Sequence, residues 1–204
     1  KKGKFEEAIT QRKKLMEIQP ENASAYQTIG DLYMEWGKEE QAIDNYEKSL
    51  VLEQGNWSLR RYVQFLEGEN ENFWEGYATT DEEAMELVRN APGKEAYPKA
   101  SNLKILDEEI VKILPDGSRS SYVHMIYKIL DISGKDRHSS PYVGGEIMEI
   151  RTIQPDGTIL EPASVYGSFT MPSLAEGVCI EYKYRSDSGW GRADRRDYQS
   201  ENWY

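Results

Sequence analysis

The chain repeats itself at an offset of about 34 residues. Gly3-Lys4-Phe5-Glu6-Glu7-Ala8-Ile9 aligns with Gly37-Lys38-Glu39-Glu40-Gln41-Ala42-Ile43, and the match continues through Lys14 on Lys48, Met16 on Leu50 and Ile18 on Leu52. A repeat of that length is one supersecondary unit that cannot bury its apolar face alone, so it must stack on a neighbour. Ile29, Leu32, Tyr33 and Trp36 recur at helical spacing, as do Ala42, Ile43, Tyr46 and Leu50. Each unit therefore predicts two amphipathic helices. Gly30 and Ala42 stand where bulk would push the pair apart, and Gly37 stands where the first helix needs a left-handed cap.

Residues 23–56 resemble the tetratricopeptide repeat family position by position. Tyr26 stands where the family prefers Trp, Ile29-Gly30 replaces Leu-Gly, and Tyr33, Ala42 and Tyr46 take its aromatic, small and aromatic sites. Pro20 matches the helix-ending proline of a preceding half-repeat, whereas Ser49 replaces a usual Ala and Gln54 a usual Pro. A third unit begins at Gly55, but Gln64 and Glu67 replace the family's Gly and aromatic. It predicts a single terminal helix with Trp57, Tyr62 and Phe65 as core or cap. The resemblance implies a concave groove that binds a protein or peptide, with Ser24, Gln27, Asp31, Met34, Arg61 and Phe65 as the candidate contact residues. These positions carry no cluster of Lys and Arg, which argues against recognition of acidic C-termini through paired cations. The competing reading is that the helices only extend and cap a longer array, because fewer than about three repeats seldom form an independent structure.

From Gly68 to Pro98 the texture changes. A polar break at Glu67–Asn72 precedes Phe73 and Trp74, which are expected to dock this connector onto the repeats. Thr80-Asp81-Glu82-Glu83 reads as a capping box, opening a short helix whose buried side is Ala84, Leu87, Val88 and Ala91, and Pro92-Gly93 stops it. Beyond Pro98 the periodicity becomes strand-like. Leu103–Ile113 and Tyr122–Ile129 flank Leu114-Pro115-Asp116-Gly117-Ser118, a turn in which Pro presets φ and Gly supplies the positive φ. A second Pro155-Asp156-Gly157 turn joins Ile147–Ile153 to Thr158–Leu160, and Val178–Tyr184 alternates as a further strand. Several short strands with Pro/Gly turns predict an antiparallel sandwich or open barrel.

The order of these motifs carries a second resemblance. It runs from Tyr97-Pro-Lys-Ala100 through Tyr127-Lys-Ile-Leu130, Ile153-Gln-Pro155-Asp-Gly157 and Phe169-Thr-Met-Pro172-Ser-Leu174 to Gly177-Val-Cys-Ile180-Glu181-Tyr182. Over about residues 95–204 this is similar to the uncharacterised domain that precedes transglutaminase-like cores in bacterial proteins. The resemblance implies a β-sandwich, an envelope or secreted setting, and a downstream cysteine catalytic domain as a partner in the parent chain.

The catalytic residues themselves do not form a set here. Cys179 lies in an alternating strand, and both histidines, His124 and His138, precede it. The papain-like chemistry needs a thiolate at a helix N-terminus with a His base and an Asp or Asn orienter, in the family order Cys, His, Asp. Cys179 is expected to be a packed strand thiol, His124 a sheet residue and His138 a loop residue. Three Cys and His ligands without paired spacing make no zinc site, and the acidic runs at Glu67–Glu71 and Asp81–Glu83 lack the calcium-loop pattern. No metal and no cofactor are expected.

A net charge of −11 argues against a nucleic-acid partner, and no apolar run reaches the length of a membrane span. Trp190, Tyr166 and Phe169 could stack on a sugar ring, their competing role being sandwich core or the edge that faces a downstream catalytic domain. Arg192, Arg195 and Arg196 are interleaved with Asp187, Asp194 and Asp197, which reads as an internal ion-pair network rather than an anion site. The first residues, Lys1-Lys2-Gly3-Lys4, lack an initiator Met and the apolar core of a signal peptide, so the chain is expected to be an excised piece.

The sequence thus predicts an α+β chain with helical tetratricopeptide-type hairpins over 1–67, a connector with a short helix over 68–96, and an antiparallel β-sandwich over 97–204 that ends partway through. It is expected to serve as a non-catalytic interaction and scaffold segment of a larger bacterial protein. The alternatives are a stand-alone peptide-binding adaptor and a carbohydrate-binding sandwich.

Overall fold

A computed structural model describes residues 2–69, 72–165 and 168–189. Its elements run from helices to an antiparallel sheet, the α+β order expected. The chain divides into two compact units, one holding residues up to Phe73 with the segments Ile113–Arg119 and Ser188 onward, the other holding Trp74–Lys112 and Ser120–Asp187.

The first unit contains α1 (Lys2–Ile18), α2 (Ala23–Glu35), α3 (Glu39–Leu52) and α4 (Trp57–Leu66). Asn22 and Asn56, at equivalent places in the repeat, cap α2 and α4 by accepting from Ala25 N at 3.0 Å and Leu59 N at 3.2 Å, which satisfies amides the helix start leaves free. Gly37 ends the α2 segment at φ 76°. The helices α2 and α3 meet where a Cβ on Gly30 would lie 2.4 Å from the Tyr46 ring. Ala42, Tyr46, Leu50, Leu59 and Val63 form the buried centre, with Tyr33, Met34, Ile43 and Leu66 packed around it. Trp36 ties α1 to α2, its ring lying nearly parallel to Phe5 at 6.0 Å and to Tyr33 at 6.3 Å, with Lys38 Nζ over it at 3.8 Å. In the same unit Arg60 pairs with Asp116 at 2.5 Å.

The second unit is built on a sheet of β1 (Asn102–Ile113), β2 (Arg119–Ile129), β3 (Glu146–Ile153), β4 (Ile159–Leu160) and β7 (Cys179–Ser188), in the order β1-β2-β7-β3-β4. A separate ladder joins β5 (Ala163–Val165) to β6 (Ser168–Thr170). Two turns of the same chemistry close the hairpins. In each, Gly takes φ 82° or 86°, the backbone closes from Leu114 to Ser118 or from Gln154 to Thr158, and the central Asp accepts from the amide two residues on at 2.9 Å. Between β3 and β7 the pairs run from Glu146 with Arg185 to Ile153 with Cys179, with a bulge between Ile147 and Glu149.

Strand alternation gives the sheet two different faces. On one, Ile126, Ile153 and Cys179 pack under α5 (Asp81–Asn90) through Ala84, Met85 and Val88. Met85 takes the place expected of Leu87, which stays exposed. On the other, Ile129, Ile150, Ile180 and Tyr182 pack with Met171, Leu174 and Val178, and Phe169 joins this core rather than standing free for a sugar.

Two expectations are corrected here. Trp74 is buried on the sheet unit, stacked on Tyr122 at 4.9 Å, so its docking partner is a strand. His138 is the last residue of a helix, α6 (Ile132–His138), and not a loop residue. Asp131 caps α6 by accepting from Ser133 N and Gly134 N, and Gly134 sits where a Cβ would lie 2.1 Å from the Ser101 carbonyl. Tyr166 and Trp190, and the cluster of Arg192, Arg195, Arg196, Asp194 and Asp197, lie outside the described residues.

Candidate functional site

Four of the six expected contact residues, Ser24, Gln27, Asp31 and Met34, lie on α2 and two, Arg61 and Phe65, on α4, and their surroundings divide them. Ser24, on the first turn of α2, is exposed, and its carbonyl accepts from Thr28 Oγ1 at 2.8 Å. Gln27 and Asp31 follow along the same helix, but both are engaged internally. Asn56 Nδ2 donates to Gln27 Oε1 at 3.2 Å, and Tyr46 donates its hydroxyl to Asp31 Oδ1 at 2.9 Å. Burial, reinforced by the Asp31 carboxylate, pushes the Tyr46 phenol far above its ordinary value, so this hydroxyl remains a donor. Met34 is half-buried against the helical core, and Arg61 is half-buried on α4.

Phe65 differs from these. Its side chain is 67% exposed, and Tyr62, one turn earlier on α4, is also exposed. Phe65 is therefore not core, whereas the Tyr62 ring covers buried Tyr46, meeting it edge-on at 5.8 Å. The candidates left exposed and without an internal side-chain bond among the described residues are Ser24 on α2 and Phe65 on α4, the latter beside exposed Tyr62. That set suits a polypeptide with apolar and donor groups.

The second unit holds a constellation that periodicity alone did not reveal. On the face under α5, Arg151 stands opposite Glu181 and Glu149 opposite Lys183 across the β3–β7 ladder. Arg151 Nε reaches Glu181 Oε2 at 2.5 Å, and Lys183 Nζ reaches Glu149 Oε2 at 2.8 Å. Asp81, the first residue of α5, pairs with Lys183 and lies 3.7 Å from Arg151. Buried His124 donates from Nε2 to Glu181 Oε1 at 2.7 Å, while its Nδ1 faces Glu108 at 3.8 Å. Glu108 in turn accepts from Thr79 N and Thr79 Oγ1.

Burial alone would raise the Glu181 carboxyl, but the hydrogen bonds from His124 and Arg151 outweigh it and hold the group below the usual carboxylate range. Lys183 is subject to the converse balance. Burial opposes its charge, and the bonds to Asp81 and Glu149 prevail and raise it.

Asp81, Glu149 and Glu181 place oxygens within 4.8 Å of one another, a grouping that could hold a cation. Lys183 Nζ already contacts all three carboxylates, so the chain supplies that cation itself. Cross-strand alternation of charge was the available signal: Glu149-Ile-Arg151 on one strand and Glu181-Tyr-Lys183 on another place opposite charges on one face once the strands pair antiparallel. The register between the strands was not readable.

Cys179 lies beside this network and is 1% exposed among Ala84, Ile126 and Ile153. Burial pushes its thiol up to about 11, which disfavours the thiolate a nucleophile needs. His138 donates or accepts at Tyr182 Oη through Nδ1 at 3.0 Å and meets Asn102 at 3.3 Å through Nε2. Neither histidine is a hydrogen-bond partner of the thiol. No helix among the described residues is long and apolar enough to cross a membrane.

The tetratricopeptide repeat family matches residues 23–56. No curated protein and no solved structure matches the chain. The matched span holds the α2–α3 pair and the contact of Gly30 with Tyr46 between them. Residues 23–56 are thus a tetratricopeptide repeat, a helix pair of the kind that serves protein–protein contact.

Proposed function

We propose that the chain is a non-catalytic interaction segment: the repeat engages a polypeptide partner, and the sheet unit positions a transglutaminase-like domain further along the parent chain. The observation that carries the first part is the repeat at 23–56 followed by a helix that leaves Phe65 two-thirds exposed. A large aromatic held in the open on a repeat face is the composition of a binding hot spot. Support for the second part is the resemblance over 95–204, whose second Pro-Asp-Gly turn and final alternating strand are regular elements of the sheet unit. The non-catalytic reading is supported by a buried thiol with a raised pKa.

Photocrosslinking residues placed at Ser24 and at Phe65 should capture a partner polypeptide, whereas the same residues at Glu47 and Lys48 on α3 should not. Equal capture from both sets would remove the repeat as the binding face. For the parent chain, the test is the encoded sequence downstream. A cysteine, histidine and aspartate in that order within a folded domain supports the reading, and their absence overturns it.

A further inference from the structure

A cavity of about 180 Å³ opens on the sheet face opposite α5, and its walls differ from the rest of the molecule. Tyr127 of β2, Tyr182 and Tyr184 of β7, His138 of α6 and Tyr142 of the following loop bring five aromatic rings to it, and Arg137 is its one charged lining residue. No Asp, Glu or Lys lines it, in a chain with 36 acidic residues. Enrichment in Tyr and Arg with loss of Lys and carboxylates marks the centre of an interaction surface.

Three of the rings are held in place. Tyr127 lies 4.7 Å from His138 and meets Tyr182 edge-on at 6.0 Å, and the His138–Tyr182 hydrogen bond fixes the floor. At the rim, the Tyr142 side chain is 95% exposed, and Arg137 is exposed and makes no ion pair among the described residues.

Size and polarity decide what fits. Pockets for a whole cofactor or drug-sized molecule begin at about 300 Å³, so this cavity takes a single ring. Both His138 nitrogens are engaged within the protein, one of them with the Tyr182 hydroxyl, and Tyr127 Oη donates to Met125 Sδ at 3.6 Å, so the inner wall presents ring faces more than free hydrogen-bonding groups. A sugar needs the lattice, whereas a prolyl ring needs only the faces, as in the aromatic-lined grooves that read extended proline-rich segments. Arg137, without a carboxylate of its own, complements an anion beside that ring.

We propose that this cavity is a docking site for an extended acidic peptide that inserts one proline among Tyr127, Tyr142 and Tyr182 and pairs its neighbouring carboxylate with Arg137. The site is separate from the repeat and does not depend on the repeat's role.

The test titrates the full 204-residue chain with a synthetic octapeptide of alternating proline and glutamate and follows backbone amide shifts by NMR. Shifts should concentrate at Tyr127, Arg137, Tyr142 and Tyr184. Tyr142→Ala removes an exposed ring without touching the core and should weaken binding about tenfold or more. Arg137→Gln should weaken it severalfold, and this difference should vanish for a peptide with Gln in place of Glu. A peptide with Ala in place of Pro should not bind. Absence of shifts at millimolar peptide, or unchanged binding by Tyr142→Ala, overturns the proposal, as does a uronic-acid oligosaccharide that moves the same amides when the peptide does not.

Discussion

Gly30 and Lys183 show how one side chain sets the geometry of each unit. A Cβ on Gly30 would lie 2.4 and 2.6 Å from two atoms of the Tyr46 ring, and that ring cannot retreat because it is buried and its hydroxyl is bonded to Asp31. Overpacking of this kind costs about 1–3 kcal/mol, while the better helix propensity of Ala returns about 0.5–1 kcal/mol. Gly30→Ala should therefore lower stability by about 1–2 kcal/mol, read from the urea midpoint of the helical circular dichroism signal. Lys183→Met removes the ammonium from among Asp81, Glu149 and Glu181. Breaking a buried pair costs about 3–5 kcal/mol, and the solvent that reaches Asp81 brings the expected loss down to about 2–3 kcal/mol.

The sign of the pH dependence follows from the same residues. The bond from Lys183 holds Asp81 below its ordinary range, and Glu181 is also held low once His124 and Arg151 outweigh its burial. The folded state therefore binds fewer protons than the unfolded chain. This contribution is complete above the ordinary carboxylate values of about 4 and is lost as pH falls below them. Without Lys183 the carboxylates gain from protonation, so the gap between variant and parent should be largest at pH 7 and narrow toward pH 4. Millimolar calcium should narrow it at pH 7 by replacing the lost cation. An unchanged gap under both conditions would mean that the ammonium is not what balances the three carboxylates.

At the scale of elements, what was legible followed local chemistry. The capping box at Thr80 was readable from four residues, and both arms are present: Glu83 N donates to Thr80 Oγ1 at 3.3 Å, and Thr80 N donates to Glu83 Oε2 at 2.8 Å. Thr80→Ala removes the first arm and should cost about 1 kcal/mol, with faster hydrogen exchange at the Glu83 and Ala84 amides and little change at Val88. The Pro-Asp-Gly turns were equally plain, because glycine is the residue that takes their φ of 82–86° without steric cost. By contrast α6 escaped notice. Ile132-Ser-Gly-Lys-Asp-Arg-His138 has one apolar residue and a glycine, too little for a period. It is a helix because Asp131 caps it, a local signal too short to read without a following period, and because Gly134 allows the close approach of Ser101, which is a tertiary fact. The same reason hid the aromatic cavity, whose rings come from β2, α6, β7 and a loop.

For the molecule as a whole, a single cysteine makes labelling a report on one place. Cys179 is the only thiol in the chain, and it lies in the core between α5 and the sheet with its pKa pushed up to about 11 by burial. In the native state, exposure of 1% leaves iodoacetamide no approach, and at pH 8 the raised pKa leaves little thiolate to react. Modification must then proceed through opening of the sheet unit, at a rate set by the open fraction times the rate for a free thiol. Labelling at pH 8 should be slower than for the unfolded chain by orders of magnitude and should rise steeply with urea. It should be accelerated by Lys183→Met, whose substitution lies in the same unit, at urea concentrations where the parent is still protected. Labelling of the native chain at or above the rate of a free thiol would reverse the assignment, making Cys179 an accessible nucleophile and reopening the question of chemistry within this chain.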